Sequence, residues 1–340
     1  MKGFRLFGFF VVFALLAASC APAATPTAAP AAPATSAPAA PQPTSMPTAV
    51  PPTVAPTQAP PTAVPATPTI AAPTPVAAID PSLLAQKGRL LICSDFPYPP
   101  QEFYDDNGNP QGPDVEIGTE IAHRLGLQAV FVNSVFDTIF AAVSSGKCDI
   151  VISATNITSD RQKQVSQIPY FNAGQAFVVL KGNPSNINTT TDLCGQSVAA
   201  ESGTTEADYL QGTGDYKGKG LTQACTAAGK KPINTVVTQK DSDALQQLQA
   251  NKVVAYLSDS PVAAYYTVQH PDTFQLASTP VLNAVLEGID VPCGAADCTK
   301  APLSPVGQAV QTALKSMMAD GTYLKILTKW NLANSAVPAQ

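Results

Sequence analysis

Two histidines, His123 and His270, and seven cysteines are the side chains best suited to metal ligation or nucleophilic chemistry, yet their spacing builds no site for either. No Cys-x-x-Cys pair occurs, so neither a zinc site nor a dithiol redox motif is expected, and no metal is assigned. The strings of a hydrolase elbow (Gly-x-Ser-x-Gly), a helical zinc protease (His-Glu-x-x-His) and a phosphate-binding loop are also missing. The glycine-rich stretch 212–220 fails the dinucleotide spacing and reads as an exposed loop. No cofactor and no catalytic residue follow, and the expectation is that the chain is not an enzyme. A net charge of −5 with no basic stripe also argues against nucleic acid as a partner.

The elements that would position any site begin at Gly88. Strand signals at 89–93, 128–132 and 149–153 alternate with amphipathic helix patterns at 114–125 and 138–145. That alternation is the sequence form of a parallel sheet with helical crossovers. A second series follows, with strands at 197–200, 233–237 and 253–257 and helices opening at 205–210 and spanning 241–250. A strand signal at 285–291 precedes two helices, 305–319 and 322–330, so the chain plausibly returns to the first unit.

The first eighty residues carry none of this texture. Lys2 and Arg5, an apolar run at 6–16 and small residues ending at Cys20 have the layout of a secretory signal, residues 1–20. The junction LAASC at 16–20 resembles the lipobox of bacterial lipoproteins, which implies acylation of Cys20; cleavage at a small-residue site near Ala21 is the alternative. Residues 21–78 are almost wholly Ala, Pro, Thr, Val and Ser and hold roughly half of the 33 prolines. Such a stretch buries no core and reads as a disordered, polyproline-like tether. No segment offers the ~20 apolar residues of a permanent membrane span. Export makes disulfides the default for the remaining six cysteines.

Specific strings then carry a resemblance. LLICSDFPYPPQEF at 90–103, DDNGN at 105–109, GKCDIVI at 146–152, NITSDR at 156–161, PYF at 169–171, GTTE at 203–206, SDSPVAAY at 258–265 and DGTYLKI at 320–326 occur in the order seen in bacterial extracellular solute-binding proteins of family 3. The resemblance covers about 88–332. It implies a periplasmic-binding-protein-like α/β fold of two lobes, each with a mostly parallel sheet, joined by a two-strand hinge near 172–176 and 284–289. Residues 79–175 with 284–340 would form the first lobe and 176–283 the second. The function implied is that of an extracytoplasmic amino-acid receptor of an ABC importer, lipid-anchored to the bacterial cell membrane, a monomer that closes around a polar or basic amino acid and delivers it to a membrane permease.

A zwitterion leaves water at a cost of several kcal/mol per charge unless each end finds a charged, hydrogen-bonding partner. By the resemblance, Arg161 takes the carboxylate through its planar fork of donors, and Asp259, ending a predicted strand of the other lobe, takes the ammonium. Thr204 and Thr205 open a predicted helix, where they assist an anion or serve as plain caps. Ala154 and Asn156 follow the third strand, where open parallel sheets place ligands, although the family more often has Ser or Gly and then Ser or Thr there. Tyr98 and Phe136 match pocket aromatics and are expected on loops, with core packing as the alternative. Asp95 is expected to face a polar or cationic side chain in preference to Glu102 of the same loop. Gly112-Pro113-Asp114 departs from the family's Gly-aromatic-Asp.

Parity does not fix the cysteine connectivity. The layout favours Cys194–Cys225 across the first unit of the second lobe and Cys293–Cys298 closing a short loop, which leaves Cys93–Cys148 on strands that the topology makes neighbours. Two other functions share this fold: a periplasmic cyclohexadienyl dehydratase-like enzyme, in which Glu102 or Asp259 would act as general acid, and a ligand-sensing subunit that reports to a membrane partner.

Overall fold

The structure is a computed structural model that describes residue 76 and residues 79–295 and 297–338. The expected signal, Cys20 and nearly all of the tether lie outside the described residues.

Strand β1 (Arg89–Ser94) is buried in five of its six residues, as a strand covered by helices on both faces must be. A short hairpin, β2 (Phe103–Tyr104) with β3 (Pro110–Gln111), leads into helix α1 (Pro113–Arg124). Pro113 supplies the first-turn φ, Asp114 and Glu116 suit the positive helix end, and Val115, Ile117, Ile121 and Ala122 form its buried stripe. Gly118 on the same helix lies so close to the sheet that a Cβ there would stand 2.9 Å from Ile92 Cδ1. Then follow β4 (Gln128–Asn133), α2 (Phe136–Ser144) and β5 (Ile150–Val151), with β4 and β5 parallel on either side of β1. The expected strand 149–153 is therefore two residues long: Ser153 and Ala154 have left the ladder for the cleft, Ala154 with φ 46°.

Strand β6 (Ser166–Leu180) is the spine of the molecule. The second unit adds β7 (Ser197–Glu201), α3 (Thr205–Gln211), α4 (Leu221–Ala227), β8 (Asn234–Thr238), α5 (Asp241–Gln249), β9 (Ala255–Asp259), α6 (Ser260–Gln269) and β10 (Phe274–Leu276). Strand β11 (Leu282–Val291) returns to the first unit, followed by α7 (Pro305–Ala319) and α8 (Thr322–Lys329). Along one continuous sheet the order is β4-β1-β5-β11-β6-β9-β7-β8, with β10 also on β6. Parallel trios (β4-β1-β5 and β9-β7-β8) sit at the two ends, and the antiparallel pair β6 and β11 connects them.

At Gln175 the spine exchanges partners, facing Leu282 of β11 on one side and Asp259 of β9 on the other. Gly174 permits that crossing, since a Cβ there would lie 2.4 Å from Val281 Cγ1 and 2.7 Å from Leu282 O. One core, including Leu90, Ile92, Ile117, Ile150, Phe171, Met317 and Leu327, lies on the first side of the crossing. Beyond it, Phe177, Val198, Leu210 and Leu257 pack on one face of the sheet and Val178, Leu245, Leu248 and Tyr256 on the other. Each fully buried Leu or Ile contributes roughly 1.5–3 kcal/mol. Tyr323 of α8 donates to Tyr170 O at 2.7 Å, tying the returning helices to the first core.

Disulfides join Cys93 to Cys148, Cys194 to Cys225 and Cys293 to Cys298. The 212–220 stretch is mostly exposed, but Gly212 and Gly220 are buried against one another around a short 3-10 turn, Gly214–Tyr216. Phe136 is not on a loop, as expected from the sequence, but opens α2, where its N–H donates to Asp95 Oδ2 at 2.8 Å. That acceptor replaces the missing partner of a helix N-terminus and so lets the helix begin two residues early.

Candidate functional site

The ends of the parallel strands from both trios converge on one small cleft. Asp95, Tyr98, Phe136, Ser153, Ala154, Asn156 and Arg161 line it from the first side, and Glu201, Thr204, Glu206 and Asp259 from the second. Eight of the nine expected ligand residues are thus brought together. The ninth, Thr205, lies just behind, where its hydroxyl bonds Asn156 Oδ1 and accepts from Gln175 Nε2 at 2.8 Å. Ser153, Glu201 and Glu206 were not anticipated.

The first wall is held from beneath. Asp95 N–H donates to Ser153 Oγ at 2.9 Å, and Ser153 Oγ donates to buried Glu102 Oε1 at 2.6 Å. Ala154 N–H donates to Asp114 Oδ2 at 3.0 Å, which pins the left-handed turn. Glu102 therefore supports the wall from below, and Asp95 reaches the cleft. Pro113, where the family more often has an aromatic, starts the helix that carries Asp114.

Arg161 is buried, 7% exposed. Its Nη1 donates to Asn156 O at 2.9 Å and its Nη2 to Gly203 O at 3.2 Å. The guanidinium lies over Phe136 at 5.3 Å and Phe140 at 4.9 Å. Among the described residues no carboxylate oxygen comes within 4.0 Å of it, so burial holds its pKa below the ordinary value. A buried cation whose own protein supplies only carbonyls and ring faces has charge left to satisfy.

The second wall has the opposite surplus. Asp259 Oδ2 accepts from Tyr98 Oη at 2.8 Å, while the buried Oδ1 has no partner among the described residues. Burial, and then repulsion from Glu206 and Glu287, push this carboxyl well above its usual range. Burial likewise raises Glu206, and burial with the charges of Asp95 and Asp241 raises Glu201 to about 11. Carboxyls held protonated for want of a cation become acceptors when a cation arrives. Among the described residues no group of three or more His, Cys, Asp or Glu side chains is arranged to hold a metal ion.

The walls touch directly. Tyr98 spans the cleft to Ser258 Oγ at 3.1 Å and to Asp259, Ser202 Oγ donates to Asp137 Oδ2 at 2.7 Å, and Lys240 pairs with Asp95. Farther out on the rim, Ser159 N–H donates to Asp215 at 2.9 Å. The structure is thus in a closed arrangement, with a guanidinium on one wall and carboxyls on the other around a small enclosed space.

The family model described as bacterial extracellular solute-binding proteins, family 3, matches residues 90–333. The L-cystine-binding protein TcyJ of Escherichia coli (strain K12) is 26% identical over 246 residues, covering 72% of this chain and 83% of that protein. An ancestral arginine-binding protein, solved bound to arginine, is 32% identical with a TM-score of 0.61, covering 72% of this chain and 98% of the other. The ancestral amino acid-binding protein AncCDT-1, described as a precursor of cyclohexadienyl dehydratase, is 29% identical with a TM-score of 0.59, covering 72% and 95%.

Proposed function

The chain belongs to the bacterial extracellular solute-binding proteins of family 3, and from that premise we propose that it is the amino-acid receptor of an ABC importer, closing around one polar or basic amino acid. The observation that carries this reading is the pairing of deficits across the cleft. Among the described residues Arg161 has no carboxylate oxygen within 4.0 Å and Asp259 Oδ1 has no hydrogen-bond donor, and an α-amino acid brings one of each. In this reading the ligand carboxylate lies on Arg161, helped by the start of α3 at Thr204 and Thr205, and its ammonium lies on the Asp259 and Glu206 pair, whose ionised form it favours, the displaced proton passing to solvent. Asn156 orients Thr205, and Tyr98 and Phe136 flank the side chain.

Closure follows from where those groups sit. A ligand held by the first wall gains Asp259 and Glu206 only when the second wall arrives, and that differential affinity drives the transition. The hinge is the crossing at Gly174 and Gln175 against β11. A membrane permease would read the closed shape. Cys20 would carry the lipid, and the proline-rich tether would hold a monomeric receptor clear of the membrane; no helix among the described residues is long and apolar enough to cross one.

Calorimetry on protein freed of carried-over ligand, against the common amino acids, tests the proposal. Micromolar binding of one polar or basic member, about −8 kcal/mol, is expected. Absence of binding by every amino acid would sink it. Prephenate and arogenate, the substrates of the related dehydratase chemistry, are expected to come back unchanged from incubation; their turnover would favour an enzyme.

A further inference from the structure

Asp95 lines the cleft beside Glu201, and in the amino-acid reading this is the end that takes the ligand's side chain. The sequence places it against a polar or cationic side chain, but the structure supplies a cation from within the protein. Lys240, the last residue before α5, reaches across from the second wall to pair with Asp95 Oδ1, and its Nζ lies 3.5 Å from Ser134 O. Thr238 Oγ1 donates to the Lys240 carbonyl at 2.8 Å, fixing the turn that aims the side chain. With side-chain exposures of 24% for Lys240 and 5% for Asp95, this is an ion pair inside the rim and not a loose surface bridge.

Glu201, at the end of β7, faces the same spot, and one of its oxygens has no partner among the described residues. Burial and the neighbouring Asp95 and Asp241 raise the Glu201 carboxyl, so the one cation that the protein brings to this spot, Lys240, has its partner in Asp95. An arginine or lysine side chain entering this end meets a like charge, and binding it requires Lys240 to be displaced from a buried partner. A neutral amide or hydroxyl meets the free oxygen of Glu201 and leaves the pair intact.

Resting on the amino-acid reading above, we propose that Lys240 determines specificity: by pairing with Asp95 on closure it occupies the position of a ligand's side-chain cation and turns the cleft toward neutral polar amino acids.

The test is calorimetry of glutamine and arginine on the full chain, freed of ligand, as wild type, Lys240→Met and Lys240→Arg. Wild type is expected to favour glutamine. Lys240→Met is expected to shift the arginine-to-glutamine affinity ratio toward arginine by about tenfold or more, and Lys240→Arg to leave it near wild type. A wild type that prefers arginine overturns the assignment, whether or not the variants fold, and so does a Lys240→Met ratio within about twofold of wild type. Failure of all three proteins to bind either ligand or any other amino acid would instead overturn the reading of the cleft itself, and this assignment with it.

Discussion

Arg124, in the seam where α1 meets α7 and α8, and Arg161, in the cleft, are buried to the same degree, each 7% exposed, but their surroundings have nothing in common. Arg124 has two carboxylates, Glu120 at 2.8 Å and Asp320 at 2.8 Å, and two hydroxyls, Ser316 at 2.7 Å and Thr322 at 3.1 Å. Arg161 has two carbonyls and two aromatic faces. The electrostatic outcome differs in sign. Burial opposes the charge on both, but hydrogen bonds to Asp320 and Glu120 raise Arg124 above its ordinary value, whereas Arg161 stays below. A guanidinium closed by its own chain serves the fold; one positioned by neutral groups leaves its charge to an incoming anion, which is what the proposed role requires of Arg161.

Exchanging the two losses breaks or sharpens this contrast. Arg161→Ala is expected to cost about 4 kcal/mol of ligand affinity, roughly a thousandfold, because it leaves a buried carboxylate without its counter-charge. Its unfolding free energy should move by only about 1 kcal/mol, since the lost ring contacts are offset by relief of an unpaired buried cation. Calorimetry and urea unfolding on one preparation measure both. Normal affinity in this variant removes Arg161 from the site.

The second substitution has the mirror result. Arg124→Ala strands Asp320 and Glu120 and should lower stability by about 3 kcal/mol while leaving affinity unchanged. If it weakened ligand binding as strongly as it lowered stability, the division between seam and cleft would be wrong.

The same two regions show what local sequence conveys. The helix that carries Arg124 is legible because its apolar stripe, first-turn acids and N-terminal proline all act within a dozen residues. Arg161 and Asp259 were legible because ordered strings around them match a family. Lys240, Glu201 and Glu206 were not singled out, for a physical reason. Lys240 meets Asp95 across 145 positions of chain and only through the facing of two walls, which no periodicity encodes. Glu201 ends a strand of small apolar residues, and a charged residue closing such a run at the carboxyl end of a parallel strand was the available signal. The start of α2 at Phe136 was likewise hidden, because its cap is Asp95, which is remote in sequence. Helix α6 was missed because it follows β9 directly, without an intervening loop.

The smallest expected effect concerns the sign of the pH dependence. For Asp320 burial works against the charge, but the hydrogen bond and positive charge of Arg124 prevail and hold the carboxyl below its ordinary value. Asp290 near Arg161 behaves oppositely: burial lifts it to about 7, and bonds from Thr155 and Gln167 with the charge of Arg161 offset that only in part. A carboxyl lowered by folding gives stability that is present above its unfolded value and lost as pH falls through the folded one, so the seam weakens below pH about 4. A carboxyl raised by folding gives stability that is complete below the unfolded value of 3.8 and lost as pH rises through about 7, so the packing around Asp290 weakens across that interval. Asp241, also raised to about 7 by burial, adds to the same slope. Ligand-free protein should therefore lose stability as pH rises from about 4.5 to about 7.5. Asp290→Asn should flatten part of that slope and Arg161→Ala steepen it, since Asp290 then titrates higher still. Binding of the ligand ammonium should reduce it, because the ligand favours the ionised acids. Thermal unfolding across the interval reads all of these, and stability that rose with pH in the ligand-free protein would show that Asp290 and Asp241 are not held protonated.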